Sequence, residues 1–330
     1  MEKEHTVTSF HYNHNSKQFT QKSTTRNLNH NDILIKTTHS GICYTDVHAK
    51  QMNKGICLGH EGVGTITATG PAVTHLKTGD RVGWGWLRQS CSHCTTCTQG
   101  YRQYCAAARG FAFCDEDQGA FGDWHVIDAE FAYLIPESIE SKFAAPLMCA
   151  GASVFEALDA AGTKPRLGHL AVMFARAMGC GVTALTGSKG RKRDDAERLG
   201  ADEVLDLSAL PSSPAGEIDV LLVTSNAVPS LESLLPLLAR RATIVLMTIQ
   251  QDSLEIPYMP FILPGHQLIA STEASRENHI KMLDFASRHG IKPWVEEFEM
   301  TAEGLSEAFA RLEDGKVRYR AVAVRAEYIE

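Results

Sequence analysis

Val182-Thr-Ala-Leu185, Lys192-Arg-Asp-Asp-Ala-Glu-Arg-Leu-Gly200 and Val204-Leu-Asp-Leu207 read in order as a short apolar strand, a helix closed by glycine and a second short strand. A strand that returns parallel to its predecessor needs a crossover of this kind, so the stretch predicts βα units on a parallel sheet. The pattern extends both ways. Leu167 to Met178 predicts a helix upstream, while Val220 to Val223, Leu231 to Ala239, Thr243 to Met247 and Gln267 to Ala270 continue the alternation downstream, and Glu277 to Arg288 predicts a further helix. From Thr6 to about Pro136 the character changes. Short alternating or β-branched runs broken by glycine, such as Asp32 to Thr38, Gly62 to Ala68 and Asp80 to Gly85, predict strands and turns. Trp294 to Val324 mixes strand and helix and is expected to return to this first half. The expected domains are therefore 1–149 with 290–330, mainly β, and 150–289, a doubly wound parallel sheet of α/β class.

A chain of 330 residues exceeds one ordinary core and suits two. The formal net charge of -7, with no basic block, argues against a nucleic-acid partner, whose phosphates demand a cationic stripe. The runs Val220 to Val223 and Ile244 to Thr248 are too short to cross a bilayer, and Met1 to Thr8 is charged and polar, so neither a membrane span nor a signal peptide is expected. The expected partner is a small molecule. Nine cysteines are an odd number, and four crowd into Cys91 to Cys105, which suits metal thiolates in a reducing, cytosolic compartment better than a disulfide framework.

Cys91, Cys94, Cys97 and Cys105 are separated by two, two and seven residues. A loop so spaced can fold back to present four thiolates tetrahedrally, closing the shell of a structural zinc and leaving no place for substrate. A second set is dispersed: Cys43 in Gly-Ile-Cys-Tyr-Thr-Asp, His60 in Leu-Gly-His-Glu-Gly-Val-Gly and Cys149 in Pro-Leu-Met-Cys-Ala-Gly. Two thiolates and an imidazole leave a fourth position open, which a Lewis-acid zinc needs in order to polarise a carbonyl.

Cys-Tyr-Thr-Asp-x-His, Gly-His-Glu-Gly-Val-Gly, the four-cysteine loop and Met-Cys-Ala-Gly stand in the order found in zinc-containing medium-chain alcohol dehydrogenases. The chain resembles that family from about Asp32 to Val324, most of all its microbial and cinnamyl-type branches. The resemblance implies a GroES-like, mainly-β catalytic domain and a Rossmann-type cofactor domain. It implies that Cys43, His60 and Cys149 ligate catalytic zinc, with Glu61 beside it as a transient ligand and Asp46 orienting His60. It also implies that Thr45 exchanges the alcohol proton and His48 passes it to solvent. The metal complement would be two zinc ions per chain, and the assembly a homo-oligomer, dimer or tetramer.

In the cofactor half the resemblance singles out Gly168 and His169 at the pyrophosphate turn, and Arg320, with Arg318 as fallback, as the arginine that meets the pyrophosphate. No acid follows Thr186 until Asp194, and Ser188, Lys189 and Lys192 stand where a 2′-phosphate would be held, so NADP(H) is expected over NAD(H). Gly162-Thr-Lys-Pro165 runs straight into Arg166-Leu-Gly168, without the first strand and leading glycines of a Rossmann fingerprint. The link from His48 to His60 is also shorter than the family's substrate-side loop. Either loop residues are missing from the sequence at these two points, which is the expectation adopted, or the chain lacks a central strand and leaves backbone groups to be paired.

Trp86 matches a family position lining the substrate cleft, with Trp84 or Phe111 as further aromatic walls for an apolar aldehyde. Tyr44 departs from the histidine or arginine that relatives carry. The expected function is a zinc-dependent oxidoreductase interconverting an alcohol and an aldehyde or ketone. Two alternatives stand beside it: reduction of an iminium or conjugated double bond, against which Thr45, His48 and Glu61 weigh, and a zinc-stabilised interaction protein without catalysis, which the missing fingerprint strand favours.

Overall fold

The computed structural model describes residues 4–52, 54–162, 169–187, 191–210, 218–225 and 227–329. Two compact units emerge, Met1–Ala152 with Ser275–Glu330, and Ser153–Ala274. In the first, β1 (Glu4–Asn13) and β2 (Gln18–Asn27) form an antiparallel hairpin. β3 (Asp32–Ile42) is the central strand of a sheet with β4 (Glu61–Thr69), β5 (Arg81–Trp84), β8 (Trp124–Asp128), β9 (Ala132–Leu134), β15 (Val295–Glu299) and β16 (Arg320–Val324), while β6 (Leu87–Gln89) pairs with β7 (Arg109–Gly110). Along one edge β3 pairs with β4, and along the other with β8 near Asp32 and β16 near Ile42. Covered on both faces, β3 is buried almost throughout, and its residues from Thr37 to Ile42 are all buried although Thr37, Thr38, His39 and Ser40 are polar.

Two packed clusters flank this sheet, one around Ile33, Ile35, Ile66, Val82 and Trp84, the other around Leu58, Phe111, Phe121, Phe309 and Ala321. Helix Arg276–His289, expected with the second domain, packs on the first unit instead. The ring of His279 stacks on Tyr133 with centroids 4.3 Å apart, and its Nε2 lies 3.3 Å from the Met148 carbonyl oxygen. The return to the first unit thus comes at Ser275 rather than at residue 290.

The second unit carries parallel strands β10 (Thr183–Thr186), β11 (Glu203–Asp206), β12 (Ile218–Val223), β13 (Leu238–Leu246) and β14 (Gln267–Ala270). Helices His169–Ala177 and Arg191–Arg198 occupy the expected places. The expected helix Leu231 to Ala239 is cut short: Leu231–Leu234 is helical, Pro236 tightens the chain into a 3₁₀ turn, and Leu238 already opens β13. Among the described residues the strands form two sheets, β10–β11 and β12–β13–β14, with no strand joining them. The break falls where the sequence near Pro165 lacks the first strand of a Rossmann unit.

Candidate metal centre

Cys43 follows β3 directly and caps helix Tyr44–Gln51. Its Sγ accepts from the Thr45 N–H at 3.4 Å, while the Asp46 carboxylate accepts from the Cys43 N–H at 3.0 Å, so the two residues satisfy orphan donors reciprocally at the helix start. Asp46 reaches further, accepting from the Gly59 N–H at 2.9 Å and lying 3.1 Å from His60 Nδ1. An Nδ1–H donated to a carboxylate leaves Nε2 with a free lone pair. That Nε2 sits 3.3 Å from Cys43 Sγ, close to the separation of about 3.5 Å expected of sulfur and nitrogen on one tetrahedral zinc.

Cys149 arrives from another element. Pro146 cannot donate a helical hydrogen bond, and the helix Ser141–Pro146 continues as one wide turn, Leu147–Gly151, before helix Ala152–Ala160 resumes. Such turns recur at functional sites. The run Ser141–Ala160 is long and apolar enough to span a bilayer by composition, but 67% of its most apolar window is buried in the protein. Ligand atoms of Cys43, His60, Glu61 and Cys149 lie within 4.8 Å of one another.

Electrostatics mark this cluster as a place for a cation. Glu61 is fully buried, and neither carboxylate oxygen has a hydrogen-bond partner among the described residues. Burial, then the Cys43 thiol, pushes its pKa well above the carboxylate range, against the pull of Arg320. The Cys43 thiol is drawn well below its usual value by a hydrogen bond with Cys149, and Arg320 adds to the pull. Burial works against charge on His60, yet Asp46 and Cys43 together hold its pKa well above the imidazole range. Two thiols, an imidazole and a carboxylate, all but the half-buried Cys149 packed out of water, suit a divalent metal. The approach is close enough that glycine is required on either side. A Cβ on Gly41 would meet Glu61 Oε2 at 1.8 Å, and one on Gly62 would meet the Trp84 ring at 2.1 Å.

The second thiol set is equally well gathered. Cys91 and Cys105 sulfurs are 3.6 Å apart, Cys94 and Cys105 3.9 Å, and Cys91 and Cys97 4.0 Å. Tetrahedral thiolates at zinc are separated by about 3.8 Å. The His93 backbone N–H, with that of Cys94, brings the Cys91 thiol down to about 6.

Thr45 is half-buried and His48 exposed, three residues apart on the helix that Cys43 caps. Arg320 is on β16, near Cys43 and Glu61. Trp86 is half-buried with its indole against Gly110, whereas Trp84 is fully buried and stacked on His125 at 4.5 Å, so it belongs to the core and not to a cleft wall. Phe111 is also buried and stacks on the His60 ring at 5.1 Å, a support for that ring that no spacing rule announces. Of the cofactor residues, Gly168, Ser188 and Lys189 lie outside the described residues. His169 opens helix His169–Ala177, and Lys192 is exposed in the first turn of Arg191–Arg198.

Two family models match the chain: an alcohol dehydrogenase GroES-like domain over residues 29–137 and a zinc-binding dehydrogenase domain over residues 167–288. An aldehyde reductase of Synechocystis sp. is 36% identical over 277 residues, which is 80% of this chain and 81% of the relative. Among solved structures, a cinnamyl alcohol dehydrogenase of Sorghum bicolor is 31% identical with a TM-score of 0.89, covering 97% of this chain and 98% of that one. A protein of Helicobacter pylori described as CAD complexed with NADP(H) shares the fold at 22% identity, with a TM-score of 0.88 over 99% of this chain and 100% of its own. By these matches the chain belongs to the zinc-binding alcohol dehydrogenase family, with a GroES-like and a Rossmann-type domain.

Proposed function

We propose that the protein is an NADP(H)-dependent oxidoreductase that interconverts an alcohol and an aldehyde or ketone. The observation carrying this is the set Cys43, His60, Glu61 and Cys149, three of them buried and Cys149 half-buried, whose thiols converge with a carboxylate that has no hydrogen-bond partner among the described residues. In this reading Cys43, His60 and Cys149 would hold a catalytic zinc, with Glu61 beside it as a transient ligand. Cys91, Cys94, Cys97 and Cys105 hold a second, structural zinc. When bound, the first zinc supplies Lewis acidity at its open position, and the nicotinamide supplies or accepts the hydride. Asp46 fixes the His60 ring by its Nδ1 contact. Thr45, beside the site, gives the proton that the nascent alcohol oxygen needs, and exposed His48 replenishes it from water.

NADP(H) is preferred because no acid between Thr186 and Asp194 repels a 2′-phosphate, while Ser188, Lys189 and Lys192 offer it hydroxyl and cationic groups. Arg320 meets the pyrophosphate. All nine cysteines are unbridged, which supports a reducing, cytosolic setting. Assembly as a homo-oligomer is part of the same reading.

The test is Thr45→Val. Aldehyde reduction should fall by about a hundredfold or more, as positioned acid catalysis implies, with zinc content and cofactor binding retained. Iminium reduction ends in a neutral amine and needs no such donor. Turnover of aldehyde at the parental rate would discard the alcohol–aldehyde mechanism. Elemental analysis supplies a second check: two zinc ions per chain, one of them lost in Cys43→Ala.

A further inference from the structure

The wide turn that carries Cys149 deprives one carbonyl of its usual helical donor. In a regular helix the Ala152 N–H would be donated to the Met148 carbonyl, four residues back; here it goes to Leu147 and Cys149. The Met148 oxygen faces the buried ring of His279, with Nε2 at 3.3 Å. The other ring nitrogen, Nδ1, lies 3.1 Å from the Ser275 carbonyl oxygen. That oxygen already accepts the His279 backbone N–H at 3.0 Å, so the imidazole proton is needed at Nε2, against Met148. The Met148 side chain lies over Gly83 of β5, where a Cβ would run into its sulfur.

The His279 ring is held in turn. Tyr133 on β9, opposite Gly83 in the β5–β9 ladder, lies flat against it, with centroids 4.3 Å apart and planes 5° from parallel. The Tyr133 hydroxyl accepts from Arg102 Nη2 at 2.7 Å, and Arg102 Nη1 donates to the Glu130 carbonyl oxygen at 2.7 Å. The same guanidinium covers the Phe131 ring, 4.2 Å from its centre. Arg102 is buried and belongs to the four-cysteine loop, between Cys97 and Cys105. A guanidinium forked between a phenol and a carbonyl has one geometry. An unbroken run of contacts thus leads from that loop to the residue before Cys149.

We propose that His279 is a positioning residue for Cys149 and that Arg102 and Tyr133 set its ring, so that the four-cysteine loop helps to shape the other metal set. Donation from Nε2 to Met148 replaces the bond that the wide turn gives up, and holds Cys149 toward Cys43 and His60. The three residues act through the Met148 backbone, not on substrate. This rests on the reading of Cys43, His60 and Cys149 as zinc ligands and adds what keeps the third in place. Coupling of this kind shows as non-additivity between variants.

The experiment measures zinc affinity of the full chain by competition with a chelator, the four-cysteine set being read alone in Cys43→Ala. His279→Phe keeps a ring on Tyr133 and removes the donor, so the Cys43 set should bind zinc about tenfold more weakly. His279→Gln, whose amide donates from the Nε2 position, should restore most of that affinity. In the Cys43→Ala background His279→Phe should leave the remaining zinc as tightly held as before, which a general loss of packing would not. Arg102→Met should weaken the Cys43 set about threefold in the parent and add nothing to His279→Phe. If His279→Phe does not fold, His279→Asn, whose shorter amide reaches only the Nδ1 position, replaces it with the same expectation. Equal affinities in the parent and the donor-less variant, or a Gln variant no better than that variant, overturns the proposal; an Arg102→Met effect of equal size in both backgrounds overturns the link to the four-cysteine loop. A parent that holds both zinc ions yet reduces no aldehyde would discard the dehydrogenase reading without touching these affinities.

Discussion

Asp46 has no solvent exposure, and burial raises its pKa while His60 pulls it back down. Its two oxygens join the Cys43 N–H, the Gly59 N–H and the His60 ring, and so tie both halves of the ligand set to one carboxylate. Asp46→Asn should therefore weaken zinc binding about 10- to 100-fold, measured by competition with a chelator, as loss of a partner behind a ligand does elsewhere. His125 offers a test through pH. Burial, and next the buried guanidinium of Arg88, hold its pKa well below the usual imidazole value. The unfolded chain takes up this proton below about pH 6.5 and the folded chain does not. Its contribution to stability is thus complete above pH 6.5 and is lost as the pH falls below it. His125→Phe keeps a ring on Trp84 and should flatten the fall of melting temperature between pH 7.5 and 5; equal slopes would contradict this. At this scale the thiols and His60 were legible because few other residue types bind zinc and their motifs fix their order. The aromatic residues were not. Trp84, Trp86, Phe111 and Phe113 are interchangeable as letters, and only packing separates a core ring from one under a ligand or one in water.

Among the elements, the four-cysteine loop contains hardly any regular structure, one turn of helix at Thr95–Thr98 and a 3₁₀ turn at Arg102–Tyr104. Four sulfurs are gathered there with little regular structure around them, and a metal held by them would be the organising contact of the loop. Cys97→Ser should accordingly remove one of two zinc ions and lower the melting temperature, with the Cys43 set keeping its ion; metal analysis after gel filtration reads both. Elements were readable where local chemistry dictates them, as in β3 and in the helix Arg191–Arg198. They were misread where a longer-range demand prevailed. Leu231 to Ala239 has helical spacing, but Pro236 breaks it and β12 recruits the residues after it into parallel pairing. The division of the parallel sheet was visible only as a shortfall of residues near Pro165, because pairing between strands is not written in any one of them.

For the molecule as a whole, cofactor affinity and stability are linked. Any ligand that binds only the folded chain stabilises it, by about 2.7 kcal/mol at a hundred times its dissociation constant. NADPH should raise the melting temperature more than NADH at equal concentration, and a steady-state comparison should favour NADPH. Equal shifts, or better efficiency with NADH, would reverse the assignment. The pairing of β3 with β16 carries a different consequence, for how the protein is made. A ribosome adds about 5–20 residues per second, so roughly ten seconds to a minute separates the synthesis of Ile42 from that of Val324. Throughout that interval the end of β3 leading into Cys43 has a bare edge, open to chaperones or to a neighbouring nascent chain. Cys43 is thus among the earliest residues to leave the ribosome, and the sheet that leads into it among the last parts of the protein to close.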